Sequence, residues 1–280
     1  MIDAHGVSPE PGGMPTDVAT GASGEALLRL VVALVALSWV LAFFAELTGE
    51  GALFHHHALI EGTIAGAAPP LWLAVPAFLV AWQVMVAAMM VPPSLPAIRL
   101  FERSARTVRR PTTALVGFLA AFALMWTVFG LFTFLGDFVL HRVVATTPWL
   151  AVRPWLIQAA VFALAGLYQF TPFKRRSLAA CRHPVRVFRP DGQVEGSGRV
   201  GLIAGLVHAI DCVGASWALM LLMFAAGFAD LLWMAALTGL MVYESRGSRG
   251  HLAAPLAGVA LLALAGAAFA LAGVPGWGAT

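Results

Sequence analysis

The sequence predicts an all-α fold, a polytopic transmembrane helix bundle of about seven spans with the N-terminus inside and the C-terminus outside. Three observations predict it. Of the 280 residues, 60% are apolar and only 11% charged, against about 25% charged in an ordinary soluble domain. Long tracts, such as 27–47 and 252–273, are almost free of charge and long enough for a hydrocarbon core of roughly 30 Å. The basic residues are also distributed with the asymmetry that fixes topology in membrane proteins.

The first 26 residues are rich in Gly, Pro, Ser and Thr and read as a disordered cytoplasmic tail. Residues 27–273 form one transmembrane domain, and 274–280 a short C-terminal tail. Within the domain, hydropathy places spans at about 27–47, 71–91, 113–136, 155–171, 202–222, 227–244 and 252–273. The first is a retained span and not a signal peptide, because no small-x-small cleavage site follows it. The prolines in Val91-Pro92-Pro93-Ser94-Leu95-Pro96 are expected to stop the second at the cytoplasmic edge. The fifth and sixth divide at Ala226-Gly227-Phe228-Ala229-Asp230. Basic residues then fall beside the N-terminus (Arg29) and in the loops after spans two (Arg99, Arg103, Arg106, Arg109, Arg110), four (Lys174 to Arg199) and six (Arg246, Arg249). The alternate loops hold only Arg142 and Arg153. Merging spans five and six would put Arg246 and Arg249 outside.

The net charge of +3 is therefore a matter of topology, and no nucleic-acid partner is expected. One lysine beside many arginines, together with abundant Ala, suggests a GC-rich bacterial genome and an inner (cytoplasmic) membrane. Two cysteines, Cys181 and Cys212, are too few for a disulfide framework, and the predicted spans put them at different depths. Gly201-x-x-x-Gly205 and Gly214-x-x-x-Ala218 have the small-residue spacing that lets helices pack closely. Glycine-rich phosphate loops, zinc-protease motifs and serine nucleophile elbows are absent. A binding role is preferred to an enzyme, although the enzyme question stays open.

Polar side chains are costly in hydrocarbon, about 2.5–3.5 kcal/mol for Asp at a span centre. Those inside spans are thus the functional candidates. His208, Asp211 and Cys212 crowd one face of span five, and Cys212 lies roughly 15 Å deep. Imidazole, carboxylate and thiolate are zinc ligands, and thiolate with imidazole also suits copper. Met223, about three turns further on, returns to nearly that face. Met85-x-x-x-Met89-Met90 at the end of span two offers soft thioethers suited to Cu(I), or simply core packing. In the outer loop His55, His56 and His57, between Glu50 and Glu61, form a tract that could capture an ion or merely be solvated. Asp137 and His141 read as an interfacial pair.

Three stretches also occur in a particular order: Trp82-Gln83-Val84-Met85-Val86-Ala87-Ala88-Met89-Met90-Val91-Pro92, then Gly166-Leu167-Tyr168-Gln169-Phe170-Thr171-Pro172-Phe173-Lys174-Arg175, then His208…Cys212…Trp217-Ala218-Leu219-Met220. That order resembles the bacterial family called domain of unknown function 2182, whose members are predicted metal-binding integral membrane proteins. The resemblance covers roughly 27–270. It implies a multi-span inner-membrane protein that handles a metal, copper above zinc. The family pattern in the fifth span resembles His-Gly-x-x-Cys-x-Gly-Cys-Cys-Trp. His208, Cys212, Gly214 and Trp217 match it, but Ala215 and Ser216 replace two cysteines. A Cys-x-x-x-Cys pair is similarly reduced, Ser177 standing for the first cysteine and Cys181 keeping the second. This chain either has a harder His208/Asp211/Cys212 set, or has lost its metal and kept the scaffold.

The leading expectation is a membrane metal-binding or metal-handling protein. His55–His57 would capture the ion, and Met85, Met89, His208 and Cys212 would line an inner site, provided spans two and five are adjacent. A structural or assembly subunit, docked to a membrane-protein partner, is the alternative. A proton-coupled transporter or redox protein using His208 and Asp211 is the third. A cavity along the polar face of span five would favour binding over assembly.

Overall fold

The structure is a computed structural model that describes residues 16–48, 71–183, 196–226 and 230–271. Those residues form nine helices and no strand: α1 (Thr16–Thr48), α2 (Leu71–Ala105), α3 (Pro111–Thr146), α4 (Pro148–Ala151), α5 (Pro154–Tyr168), α6 (Pro172–Arg182), α7 (Ser197–Ala226), α8 (Leu231–Arg246) and α9 (Gly250–Leu271). Four of them, α3 to α6, start with proline in the first turn, where its missing N–H is not needed. The expected all-α bundle is the observed one.

By length and composition, five helical stretches could cross a membrane: Gly24–Leu47, Trp72–Ala105, Pro111–Thr146, Ser197–Met223 and Gly250–Leu271. The other two expected spans are also helical but short, α5 with 15 residues and α8 with 16. Helix α5 continues into α6 across a break with a bend of 64°. The break expected between spans five and six separates α7 from α8. Asp230 caps α8 there, accepting a hydrogen bond from Trp233 N at 2.9 Å. Helix α1 begins at Thr16 and so takes in residues 16–26 of the segment read as a tail. Once an apolar span has nucleated a helix, each added residue gains a backbone hydrogen bond.

The prolines after Val91 do not stop α2, which runs through Pro92, Pro93 and Pro96 to Ala105. Each proline frees the carbonyl four residues earlier, and two of those carbonyls have other donors. Trp39 Nε1 of α1 donates to Ala88 O at 3.1 Å, and the Arg246 guanidinium of α8 donates to Pro92 O. Neighbouring helices thus satisfy two of the carbonyls that the prolines open, the kind of compensation that lets membrane-spanning helices tolerate proline.

Lipid is as apolar as leucine, so close packing rather than exclusion from water must hold such helices together. Helix α2 meets α3 through an aromatic cluster. Trp82 Nε1 donates to Trp126 O at 2.7 Å, Gln83 donates to Ala123 O at 3.0 Å, and Trp82 packs on Phe78 and Phe129. Helix α3 meets α7 backbone to backbone: a Cβ on Gly201 would strike Ala114 O, and one on Gly205 would strike Phe118 O. The outward sides carry exposed apolar residues, Leu124 and Phe132 on α3 and Leu256 and Val259 on α9 among them. At the far end of α3, Asp137 and His141 pair as expected, with His141 Nδ1 3.5 Å from Asp137 Oδ1.

Candidate metal centre

On α7, His208, Cys212 and Ser216 recur every fourth residue and share one face. His208 is 3% exposed and lies between two aromatic rings of α3, stacked on Phe118 at 5.6 Å and on Phe122 at 5.9 Å. Its Nε2 is buried without a hydrogen-bond partner. Such an atom costs about 1–3 kcal/mol, and a ligand that engages it removes that cost. One turn on, the Cys212 thiol lies 3.7 Å from Ser94 Oγ of α2. Ser216 donates to Cys212 O at 2.7 Å and approaches Met90 Sδ of α2 at 3.4 Å. Spans two and five are therefore adjacent here, and the proline-rich end of α2 supplies the contact.

The bend between α5 and α6 brings a further wall. Tyr168, the last residue of α5, donates its hydroxyl to Gly214 O of α7. A Cβ on Gly214 would come within 2.5 Å of Ser177 Oγ, so the glycine is what lets α6 lie against α7. Thr171 caps α6 by accepting from Lys174 N at 3.2 Å. Lys174, expected in a cytoplasmic basic loop, is instead fully buried. Its ammonium donates to Glu244 Oε2 of α8 at 2.7 Å and to Ala215 O at 2.5 Å. The second Glu244 oxygen, Oε1, is buried with no partner.

These walls border a partly open cavity of about 30 Å³, lined among others by Met90, Cys181, His208, Cys212 and Glu244. Ser94 and Met241 also line it. Space of that size holds one or two water molecules, or a bare ion. Cys181 and Cys212 were expected at different depths. The fold of α6 back against α7 puts both on this one cavity as free thiols.

The other expected ligands are placed differently. Asp211 is half-buried beside Cys212 but does not line the cavity, and no His208–Asp211 ion pair is found among the described residues. Met85, Met89 and Met223 are buried in the hydrophobic core, while Met90, one residue past Met89, reaches the cavity. His55, His56 and His57 lie outside the described residues. Among the described residues no three His, Cys, Asp or Glu side chains stand close enough together to hold one ion. The donors share a wall without forming a closed sphere, and the thioethers of Met90 and Met241 are part of what they offer. Sequence reasoning passed over Glu244 and Met241. Neither has a local signal, since each joins the cavity only through the docking of α8.

Comparison with known proteins bears on the same helices. No curated protein and no solved structure matches the chain. A family model, PpoB2, described as a copper chaperone, matches residues 79–268, from α2 into α9. The metal-related family expected from the motifs thus carries the copper-chaperone description and not the name of domain of unknown function 2182. The match takes in every cavity-lining residue and well over half of the 280 residues, and the chain belongs to the PpoB2 copper chaperone family.

Proposed function

We propose that this chain binds copper as Cu(I) cargo inside a membrane-embedded bundle, in the cavity between α2, α6, α7 and α8. The observation that carries the reading is the partnerless, buried Nε2 of His208 on a cavity also lined by two free thiols and Met90. Thiolate and thioether donors select Cu(I). With Asp211 off the cavity and two methionines on it, the donor set is softer than the zinc-like one that His208, Asp211 and Cys212 would make. Each thiol gives up a proton as the ion takes its place on sulfur, so loading releases protons and needs no change of oxidation state. The donors on offer follow from placement: Cys212 and Cys181 as anionic donors, His208 as an imidazole donor and Met90 as a neutral soft donor, with no more than two of the first three close enough together for one ion and a thioether completing the set. A polar face that lines a cavity also favours binding over a purely structural or assembly role, in which that face would be packed.

The five long apolar stretches support a membrane setting. The basic residues at the ends of α2 and α8 support a reading in which the mouth of the cavity faces the cytoplasm across a bacterial inner membrane. A chaperone role adds a protein that accepts the copper.

The test is copper content per chain, by mass spectrometry, on full-length protein purified in detergent and loaded with Cu(I). Copper should be stoichiometric in the wild type and lost in Cys212→Ser. His208→Ala should weaken retention against a soluble chelator. No uptake by the wild type, or undiminished copper in a Cys181→Ser/Cys212→Ser double variant, overturns the reading.

A further inference from the structure

Behind the Lys174–Glu244 pair lies a second, larger cavity of about 340 Å³, between the α5–α6 bend and the start of α9. Its chemistry is opposite to that of the first. Arg175, Arg182 and His251 line it, and among the described residues no carboxylate does. Lys174 also lines it, but its charge is matched by Glu244. Arg175 and Arg182 form no ion pair among the described residues, although Arg182 donates one hydrogen bond to Gly247 O at 2.6 Å. At the bend itself Gln169 is only 1% exposed, yet both its amide nitrogen and its amide oxygen lack partners. The remaining lining is apolar, with Phe170, Ala254 and Pro255 in it and exposed Leu252 and Leu256 beside it on α9.

From this arrangement we infer that the cavity between the α5–α6 bend and α9 binds the glycerol-phosphate group of an anionic phospholipid. Guanidinium groups match phosphate oxygens in charge and in the geometry of their forked donors. A carboxamide has both donors and an acceptor. Gln169, at the wall of the cavity, suits a partner that both accepts and donates, as water and a phosphate ester bearing free hydroxyls do and a bare phosphate diester does not. Phosphatidylglycerol has both features. The apolar side of the cavity, with exposed Leu252 and Leu256 next to its lining residues along α9, suits the acyl chains that follow the headgroup. The basic mouth falls on the side that the positive-inside rule assigns to the cytoplasm.

Native mass spectrometry of the full chain in detergent, with equal amounts of phosphatidylglycerol and phosphatidylcholine, reads the preference directly. The wild type should retain phosphatidylglycerol over phosphatidylcholine by about tenfold or more, as charge-assisted bonds to a phosphate ester bearing hydroxyls warrant. Gln169→Leu and Arg175→Ala should each erode that ratio, while Arg103→Ala, at the far end of α2 and off the cavity, should keep it. Should either variant misfold, competition on the intact wild type decides the matter. Retention of the lipid despite excess free glycerol 3-phosphate assigns the site to the lipid, whereas full displacement assigns it to a soluble ester and overturns the lipid reading. Equal retention of the two lipids by the wild type, or a preference that survives both variants, overturns the inference.

Discussion

Helix α7 meets its neighbours in two unlike ways. Its first half lies on α3 at glycines, with Gly201 and Gly205 against the carbonyls of Ala114 and Phe118. Its middle carries His208, Cys212 and Ser216 and leaves room beside them. The first contact is dry backbone on backbone. The second relies on polar side chains from α2, α6 and α8 to close a gap. One stretch of helix thus anchors the fold while the next holds the chemistry. Two buried side-chain atoms without partners, His208 Nε2 and Glu244 Oε1, belong to residues that line that gap.

The sharpest way to break this contrast is at Lys174. Lys174→Met leaves the Glu244 carboxylate buried without its cation, and such losses cost about 3–5 kcal/mol. The expected result is a large fall in the thermal unfolding midpoint in detergent. Adding Glu244→Leu should return most of it, because the double variant strands no charge. A single variant as stable as wild type would mean that water or lipid reaches Glu244 and solvates its charge. Next in size is the seam. Gly201→Ala must push apart two backbones, and overpacking of that kind costs about 1–3 kcal/mol. Comparable scans of Gly136, which has open space where a Cβ would go, should show no loss. If both glycines behave alike, the seam is looser than its geometry states.

A smaller effect is expected where α1 joins. Trp39→Phe removes the donor that satisfies Ala88 O, the carbonyl opened by Pro92. The loss should be roughly 1 kcal/mol, the usual scale for one hydrogen bond inside a membrane. A double variant with Pro92→Ala, which restores the helical N–H, should show little of that loss. Both unfolding curves measure it.

How much of this was legible follows from where the signals lie. The bundle, its apolar spans and the break before Asp230 are written in local hydropathy and capping, and the chain forms them where those signals stand. The glycine seam was also local, four residues apart on one helix. The site was legible only on α7, where His208 and Cys212 share a face. Its other walls come from helices far away in the chain, and two local signals there misled. Proline runs usually end helices, but Trp39 and Arg246 offset the lost bonds of α2, and so Ser94 and Met90 reach the cavity. Lys174 beside Arg175 and Arg176 has the look of a loop, yet the bend after Tyr168 turns it inward to Glu244 and carries Cys181 along. Neither outcome can be read without the partner helix in view.

The smallest effect is expected at the residue that local spacing favoured most strongly. Asp211 adjoins Cys212 and sits three residues from His208, a spacing that suits a zinc-like trio. In the fold it turns away from the cavity, half-buried on the edge of the same face. Asp211→Asn keeps the shape and removes the charge, so copper content after Cu(I) loading should match wild type. Cys212→Ser, one residue along the helix, should abolish it. That pair of neighbours separates direction from proximity: they share a helix turn and a depth, but only the Cys212 side chain lines the cavity. If Asp211→Asn loses copper as fully as Cys212→Ser, the binding face of α7 is rotated from the one that lines the cavity. The ligands would then be the harder set of His208, Asp211 and Cys212, without Met90 and Cys181.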